Sequence, residues 1–350
     1  MSRVRVNSER TYDVFIGARW FDELAIFTAN RLRVAVIHSQ NQRDEVHEKV
    51  SGDKYSFIEI PDGELGKTPE VLLKIIHRLG ELGFTRSDLI VGIGGGAVTD
   101  ISGFAAATWL RGIDWISIPT TIAGAVDAAI GGKTGCNTEH GKNLFGAFHS
   151  PIGVLVDLDW FTSLTDRDFS AGLAEVIKCG FIKDPSILEL MAGKKLEEVR
   201  TNKILLEYLI RKAVSVKAEV VSQDFRESEG REILNYGHTF GHAVEKLSNY
   251  EIRHGEAVSI GLIFAAELAF SRGLISEDIV QSHRNFLQSL NLPITYPGGK
   301  WSQIEPLLAI DKKSRGKQVR FVALTGLGTT SRIEDSTSDE LKAIYERVAE

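Results

Sequence analysis

Apolar positions in the first half of the chain fall in short runs separated by helical patterns. Arg33-Val-Ala-Val-Ile-His38 and Tyr55-Ser-Phe-Ile-Glu-Ile60 read as strands, each ending in polar or turn-prone residues. Thr68-Pro-Glu70 opens a helix with a capping hydroxyl and a first-turn proline. Behind it Val71, Leu72, Ile75, Ile76 and Leu79 keep helical spacing. Asp88-Leu-Ile-Val-Gly-Ile93 predicts a buried strand running into Gly94-Gly-Gly-Ala-Val-Thr-Asp100. A helix of small residues is expected over 101–110, then a strand at Trp115-Ile-Ser-Ile-Pro119. Strands alternating with helices predict a parallel sheet with right-handed crossovers.

After a strand at Gly153-Val-Leu-Val-Asp157 the pattern changes. Residues 169–273 read as nearly all helical, including a long segment over 202–221. A further helix precedes Leu292-Pro293, and 318–324 with 330–333 predict a late hairpin. The expectation is therefore an α/β domain over residues 1–160 followed by a mainly α-helical domain over 161–350.

Composition narrows the classes. The 350 residues carry 41 Lys and Arg against 47 Asp and Glu, a net charge of −6. That balance argues against a nucleic-acid or anionic-membrane surface, so any basic site is a local concentration. Only two cysteines, Cys136 and Cys179, are present, which implies no disulfide framework and fits a reducing cytoplasm. The first ten residues show no apolar signal core. The longest apolar run, 257–270, is broken by Ser259 and Glu267 and is too short for a bilayer, so it predicts a buried helix.

Three stretches carry candidate chemistry. Gly92-Ile-Gly-Gly-Gly-Ala97 lies between a predicted strand and helix, where backbone without Cβ can approach a pyrophosphate. Glu64 and Lys67 follow another strand end, and Thr120 and Thr121 a third. Next comes a loop rich in glycine and basic residues: Arg111, Asp127, Gly131-Gly-Lys133-Thr-Gly-Cys-Asn137 and Gly141-Lys142-Asn143. It resembles an oxyanion or phosphate cradle and points to an acidic small molecule. Finally, His238 and His242 share one face of a helix, and His254 follows after a polar break. Three of nine histidines within so short a stretch suggest a divalent metal. Glu175 and Lys178 lie one turn apart in an apolar helix, where a buried carboxylate needs a partner.

Taken together these blocks resemble the 3-dehydroquinate synthase family, within the sugar phosphate cyclases. The matching residues run in order: Asp62-Gly-Glu64 with Lys67, Gly94-Gly-Gly96 with Asp100, Arg111-Gly112, Pro119-Thr-Thr121, Asp127, Gly132-Lys133-Thr134, Gly141-Lys-Asn143, Ala174-Glu-Val-Ile-Lys178, Lys217-Ala218, Asn235-Tyr-Gly-His-Thr-Phe-Gly-His242, His254-Gly-Glu256 and Asp311-Lys-Lys313. The resemblance implies a Rossmann-like NAD-binding domain followed by a mainly helical metal-binding domain. It implies Zn2+, with Co2+ as a substitute, held by Glu175, His238 and His254. Spacing alone offers His242 equally as a ligand; the resemblance assigns it to proton chemistry at the phosphate.

The implied substrate is 3-deoxy-D-arabino-heptulosonate 7-phosphate. Transient oxidation by NAD, β-elimination of phosphate, re-reduction, ring opening and an intramolecular aldol step would give 3-dehydroquinate. By the same resemblance Lys133, Asn143, His242 and Arg111 face the phosphate, Arg111 from a neighbouring subunit of a homodimer. Arg231 and Lys312 hold the carboxylate. Asp127, Lys178, Lys217 and Asn235 contact hydroxyls or the oxygen at the metal. Glu64, Lys67, Gly94, Gly95, Gly96, Asp100, Thr120, Thr121, Lys133 and Lys142 hold NAD.

The chain departs from the pattern in two places. An acidic residue common after the first strand is replaced by His38-Ser-Gln-Asn41, leaving Ser39 or Asn41 as donors to the adenosine. A Leu-Pro pair common before the glutamate's helix reads Leu164-Thr165, which bears on contacts at Ser163, Leu164 and Arg167. The alternatives are a sister cyclase acting on sedoheptulose 7-phosphate and a metal- and NAD-dependent polyol dehydrogenase. The lysines and Arg231 speak against a neutral polyol.

Overall fold

The structure is a computed structural model that describes residues 1–227, 230–315 and 319–350, with backbone only for 309–315. Two compact units emerge: Met1–Leu164 with Lys217–Ser228, and Thr165–Val216 with Glu229–Glu350. The sequence pattern drew one boundary near residue 160; the contacts divide the chain at 164/165 and add residues 217–228 to the first unit.

The first unit begins with two strands, β1 (Ser2–Asn7) and β2 (Thr11–Ile16), from which the pattern above draws no element. They pair antiparallel, with Tyr12, Val14 and Ile16 alternating inward. Then come α1 (Trp20–Thr28), β3 (Val34–Ser39), α2 (Arg43–Lys49), β4 (Tyr55–Ile60), α3 (Pro69–Glu81), β5 (Leu89–Gly94), α4 (Gly96–Thr108) and β6 (Asp114–Pro119). The Thr68 hydroxyl accepts from Val71 N at 3.4 Å, so the predicted cap of α3 is present.

A hairpin, β7 (Lys133–Thr138) and β8 (Gly141–Phe148), precedes β9 (Gly153–Val156). The glycine- and lysine-rich stretch expected as a loop is thus mostly antiparallel ladder. Thr134 and Cys136 point inward, and a Cβ on Gly103 of α4 would collide with Thr134 and Trp115. The glycines Gly135 and Gly146, where the two backbones pass too closely for a Cβ, hid this alternation from the pattern.

Seven strands form one sheet in the order β1-β2-β9-β6-β5-β3-β4. All pairs except β1–β2 are parallel. β3 and β5 are buried along their whole length, as expected for a parallel sheet covered on both faces. The chain moves outward from β3 to β4, then crosses back to β5, so the winding reverses between β3 and β5. In open α/β sheets ligands sit outside the carboxyl ends at such a reversal. There the end of β5 carries Gly94, and the end of β3 carries Ser39.

The second unit holds α5 (Asp166–Ile182), α6 (Ser186–Met191), α7 (Leu196–Thr201), α8 (Lys203–Gln223, shared with the first unit from Lys217), α9 (His238–Leu247), α10 (His254–Ser271), α11 (Glu277–Ser289) and α12 (Trp301–Arg315). It closes with the predicted late hairpin, β10 (Phe321–Gly326) and β11 (Thr329–Ile333), and α13 (Ser338–Val348). Thr165, where the Leu-Pro pattern is broken, caps α5: its hydroxyl accepts from Asp168 N at 3.1 Å.

α5 and α10 are apolar on nearly every side and lie at the centre of the unit. α10 packs on α5, α9, α11, α13 and β10. Glycine makes the approach close enough: a Cβ on Gly255 would overlap the Ala171 carbonyl, and one on Gly261 the Gly237 carbonyl. These contacts draw the first turn of α10, the first turn of α9 and the middle of α5 together. Among the described residues no helix is long and apolar enough to cross a membrane.

Because α9 cannot retreat without losing its packing, Gly261→Ala is expected to lower stability by about 1–3 kcal/mol. An unchanged urea midpoint would show that α9 and α10 have room to separate.

Candidate active site

The second unit gathers the predicted metal cluster. Glu175 and Lys178 are buried on α5, 1% and 2% exposed, in a place where unpaired charge is expensive. Lys178 Nζ is ion-paired with Glu175 Oε2. Glu175 Oε1 makes no hydrogen bond, yet His238 Nε2 lies 3.6 Å from it and His254 Nε2 3.4 Å. One ligand atom from each of these three residues falls within 4.8 Å of the others. A group of His242, Glu245 and His254 meets the same limit, sharing His254.

Each imidazole facing Glu175 is oriented through its other nitrogen. His238 Nδ1 donates to the Tyr236 carbonyl at 3.1 Å, and His254 Nδ1 lies 3.0 Å from Glu245 Oε2. His242, one turn along α9, is exposed, with its ring centroid 5.3 Å from that of His238 and 6.1 Å from that of His254.

The electrostatics follow from burial and charge together. Burial alone would raise the Glu175 pKa, but Lys178, His238 and His254 outweigh it and hold the carboxyl well below its usual range. His238 is driven well below the ordinary imidazole value by burial first and by the Lys178 charge second. It is therefore neutral, with Nε2 available as a ligand. Burial would lower His254 as well, but the carboxylates of Glu175 and Glu245 beside it push it up to about 10. An orphaned carboxylate oxygen facing two imidazole nitrogens is a donor set that fits Zn2+ or Co2+. Three protein ligands are also what a catalytic site with an open position supplies.

The first unit gathers a second set of polar residues. α4 starts at Gly96 behind Gly95, with no side-chain cap. A Cβ on Gly94 would collide with Val98, and one on Gly96 would come within 3.1 Å of Ala128. Bare backbone at a helix N-terminus beside the sheet's reversal fits a pyrophosphate. Thr120 N donates to Gly94 O at 2.9 Å, and Thr121 Oγ1 accepts from Gly124 N at 3.0 Å.

Buried Lys67 is ion-paired with Asp100. Burial raises the Asp100 pKa, and the lysine opposes it. Asn137 links this pair to the hairpin: its N donates to Lys67 O at 2.8 Å, its side-chain amide donates to Glu64, and its Oδ1 accepts from Asn143 N at 3.1 Å. Lys217 Nζ donates to Asp127 O at 2.6 Å and pairs with the same residue's carboxylate.

Lys133 is ion-paired with Glu227, and Lys142 is half-buried on β8. Arg111 is exposed on left-handed backbone at φ 68°. In the second unit Arg231 is buried and Asn235 half-buried, both in the short helical segment 230–235 before α9. Arg167 grips Glu256 through two nitrogens, at 2.6 and 2.7 Å. Ser39 donates to Gln42 beside buried His38. Lys312 lies on α12 in the stretch described by backbone only.

Three contributors escaped the sequence analysis: Glu245, the Tyr236 carbonyl and Glu227. Only Glu245 left a signal, since it stands seven residues after His238 and so on the same helical stripe.

A doubly wound sheet with a bare glycine turn at its reversal, on one chain with a buried Glu-His-His cluster, defines a nucleotide- and metal-type enzyme architecture. Residues 57–171 match the sequence profile described as 3-dehydroquinate synthase N-terminal, and 172–314 match 3-dehydroquinate synthase C-terminal. A 3-dehydroquinate synthase of Thermobifida fusca is 46% identical over 100% of this chain and 97% of its own. The chain belongs to the 3-dehydroquinate synthase family, whose members are lyases.

Among solved structures, a 2-epi-5-epi-valiolone synthase from Streptomyces hygroscopicus subsp. jinggangensis with NAD+ and Zn2+ bound superposes with a TM-score of 0.90. It is 27% identical and covers 99% of both chains. A 2-deoxy-scyllo-inosose synthase complexed with carbaglucose-6-phosphate, NAD+ and Co2+ is 24% identical, with a TM-score of 0.86 over 99% of this chain and 100% of that one, and so shares the fold.

The Tyr236 hydroxyl that anchors the entry to α9 donates to His283 Nε2 at 3.0 Å, while His283 Nδ1 donates to Ile279 O at 2.7 Å. Burial pushes His283 down to about 4. A histidine depressed on folding contributes stability that is full above its unfolded pKa near ~6.5 and is lost as pH falls toward 4. The expected loss across that window is about 3 kcal/mol. Urea titrations at pH 7 and 4.5 should show the gap between wild type and His283→Phe narrowing in acid. A constant gap would mean that His283 titrates normally.

Proposed function

We infer that the chain catalyses the conversion of 3-deoxy-D-arabino-heptulosonate 7-phosphate to 3-dehydroquinate and inorganic phosphate. The observation that carries this reading is the orphaned Glu175 oxygen facing His238 and His254, in a chain matched to the family over its full length. Glu175, His238 and His254 would hold Zn2+ or Co2+, and the Gly94–Gly96 turn with Glu64, Lys67, Asp100, Thr120, Thr121 and Lys142 would hold NAD. When bound, the ion polarises a substrate alcohol and the dinucleotide accepts a hydride and returns it.

The chain's own residues then have definable tasks. Lys178, locked on the second oxygen of Glu175, keeps that carboxylate ionised and offers a proton donor to a substrate oxygen. Lys133 and Asn143 supply cation and amide to the phosphate, with Lys133 exchanging its Glu227 partner for it. His242, exposed one turn beyond His238, moves the proton as phosphate leaves. Asp127 and Lys217 act as one paired unit toward a hydroxyl, and Asn235 binds another. Arg231 and Lys312 balance the substrate carboxylate.

We place the enzyme in the cytoplasm, which suits two cysteines buried as thiols. We also propose a homodimer. Leu144, Phe145 and Phe148 are exposed along β8, which supports it, and we assign Arg111, exposed on left-handed backbone, to the partner's phosphate.

Protein supplied with NAD and the heptulosonate phosphate should release one phosphate per substrate with no net NADH. Stoichiometric NADH would point to a dehydrogenase, and preference for sedoheptulose 7-phosphate in a substrate panel to a sister cyclase.

A further inference from the structure

The two imidazoles facing Glu175 are aimed by different kinds of acceptor. For His238 it is a backbone carbonyl, which side-chain substitution at Tyr236 leaves in place. For His254 it is a side chain, Glu245 Oε2 at 3.0 Å. His254 also has more freedom to turn, because it opens α10 and its side chain is 36% exposed against 10% for His238. Carbonyl and carboxylate oxygens only accept, so both rings carry a proton on Nδ1 and turn Nε2 toward Glu175 Oε1.

Glu245 is 6% exposed, and burying a carboxylate costs several kcal/mol unless something gains from it. It follows His238 by seven residues on α9, so one helix stripe delivers both the first imidazole and the acceptor for the second. The turn after α9 is closed by Tyr250 N donating to Glu245 O at 2.9 Å, which folds the chain back toward His254.

We propose that Glu245 is a positioning residue of the metal centre, fixing the tautomer and ring orientation of His254 so that Nε2 meets the ion. The inference rests on reading Glu175, His238 and His254 as the ligands. Acceptors of this kind orient ligating histidines and raise their basicity, and their removal weakens metal binding roughly 10–100-fold.

The test uses full-length, metal-stripped protein titrated with Co2+ by calorimetry, with visible spectra of the loaded forms. Glu245→Ala should bind roughly 10–100-fold more weakly, and Glu245→Gln, whose amide oxygen still accepts from Nδ1, should lose less. Their Co2+ bands should shift, and turnover should recover at saturating ion. Glu267→Gln is the control for general loosening: its carboxylate sits toward the far end of α10, holding Arg284 at 2.8 Å, and it should lower stability without moving affinity. Wild-type affinity in both Glu245 variants overturns the proposal, as does an equal loss in Glu267→Gln. Turnover that stays lost at saturating ion also overturns it, because Glu245 would then serve the substrate directly. Wild-type protein that takes up no Co2+, or takes it up undiminished after Glu175→Gln, overturns the metal reading and this proposal together.

Discussion

The second unit is built around one carboxylate that water cannot reach. Glu175 lies midway along a helix buried on nearly every side, so its charge must be answered by protein or by a ligand. Lys178, one turn on, answers one oxygen. The other oxygen faces two imidazoles that arrive from the first turns of α9 and α10. A single cation among these groups would satisfy the carboxylate and engage both lone pairs. The apolar bulk of α5 and α10 serves this end by excluding solvent and holding three distant stretches of chain in register.

Convergence on that scale requires backbones to pass nearly in contact. Gly255 against Ala171 and Gly261 against Gly237 make this possible, and a methyl group at either position would separate the helices that carry Glu175, His238 and His254. Buried charge in the first unit follows the same rule. Lys67 is paired with Asp100 and Lys217 with Asp127, so an acidic protein keeps its interior lysines neutralised. Gly94–Gly96 adds the complementary feature, bare amide backbone beside the sheet's reversal. One unit thus offers bare backbone amides at the sheet's reversal, and the other a buried carboxylate faced by two imidazoles.

Local signals foretold much of the fold. β3 to β6 stood out because fully buried parallel strands are continuous apolar runs, and α3 announced its start through Thr68 and Pro69. The two early hairpins did not. In β1 and β2 the alternation is diluted by arginines and polar residues on the solvent face, and in β7 and β8 glycines occupy the crossing points. The site divides in the same way. His238, His242 and His254 were visible by density and spacing alone, and Glu175 stood out as a carboxylate on an apolar helix that the resemblance then made a ligand. Glu227 and the Tyr236 carbonyl act through partners chosen by tertiary packing, which residue spacing does not encode. Thr165 shows the reverse: a departure from the family pattern that proves locally sensible, since threonine caps the helix in place of the proline.

The central claim is that Glu175, His238 and His254 share one ion. Crystals grown with Zn2+ and measured on both sides of the zinc absorption edge test it most directly. The account predicts an anomalous peak bounded by Glu175 Oε1 and the Nε2 atoms of His238 and His254. A peak held instead by His242 and Glu245, or none at Glu175, would contradict it.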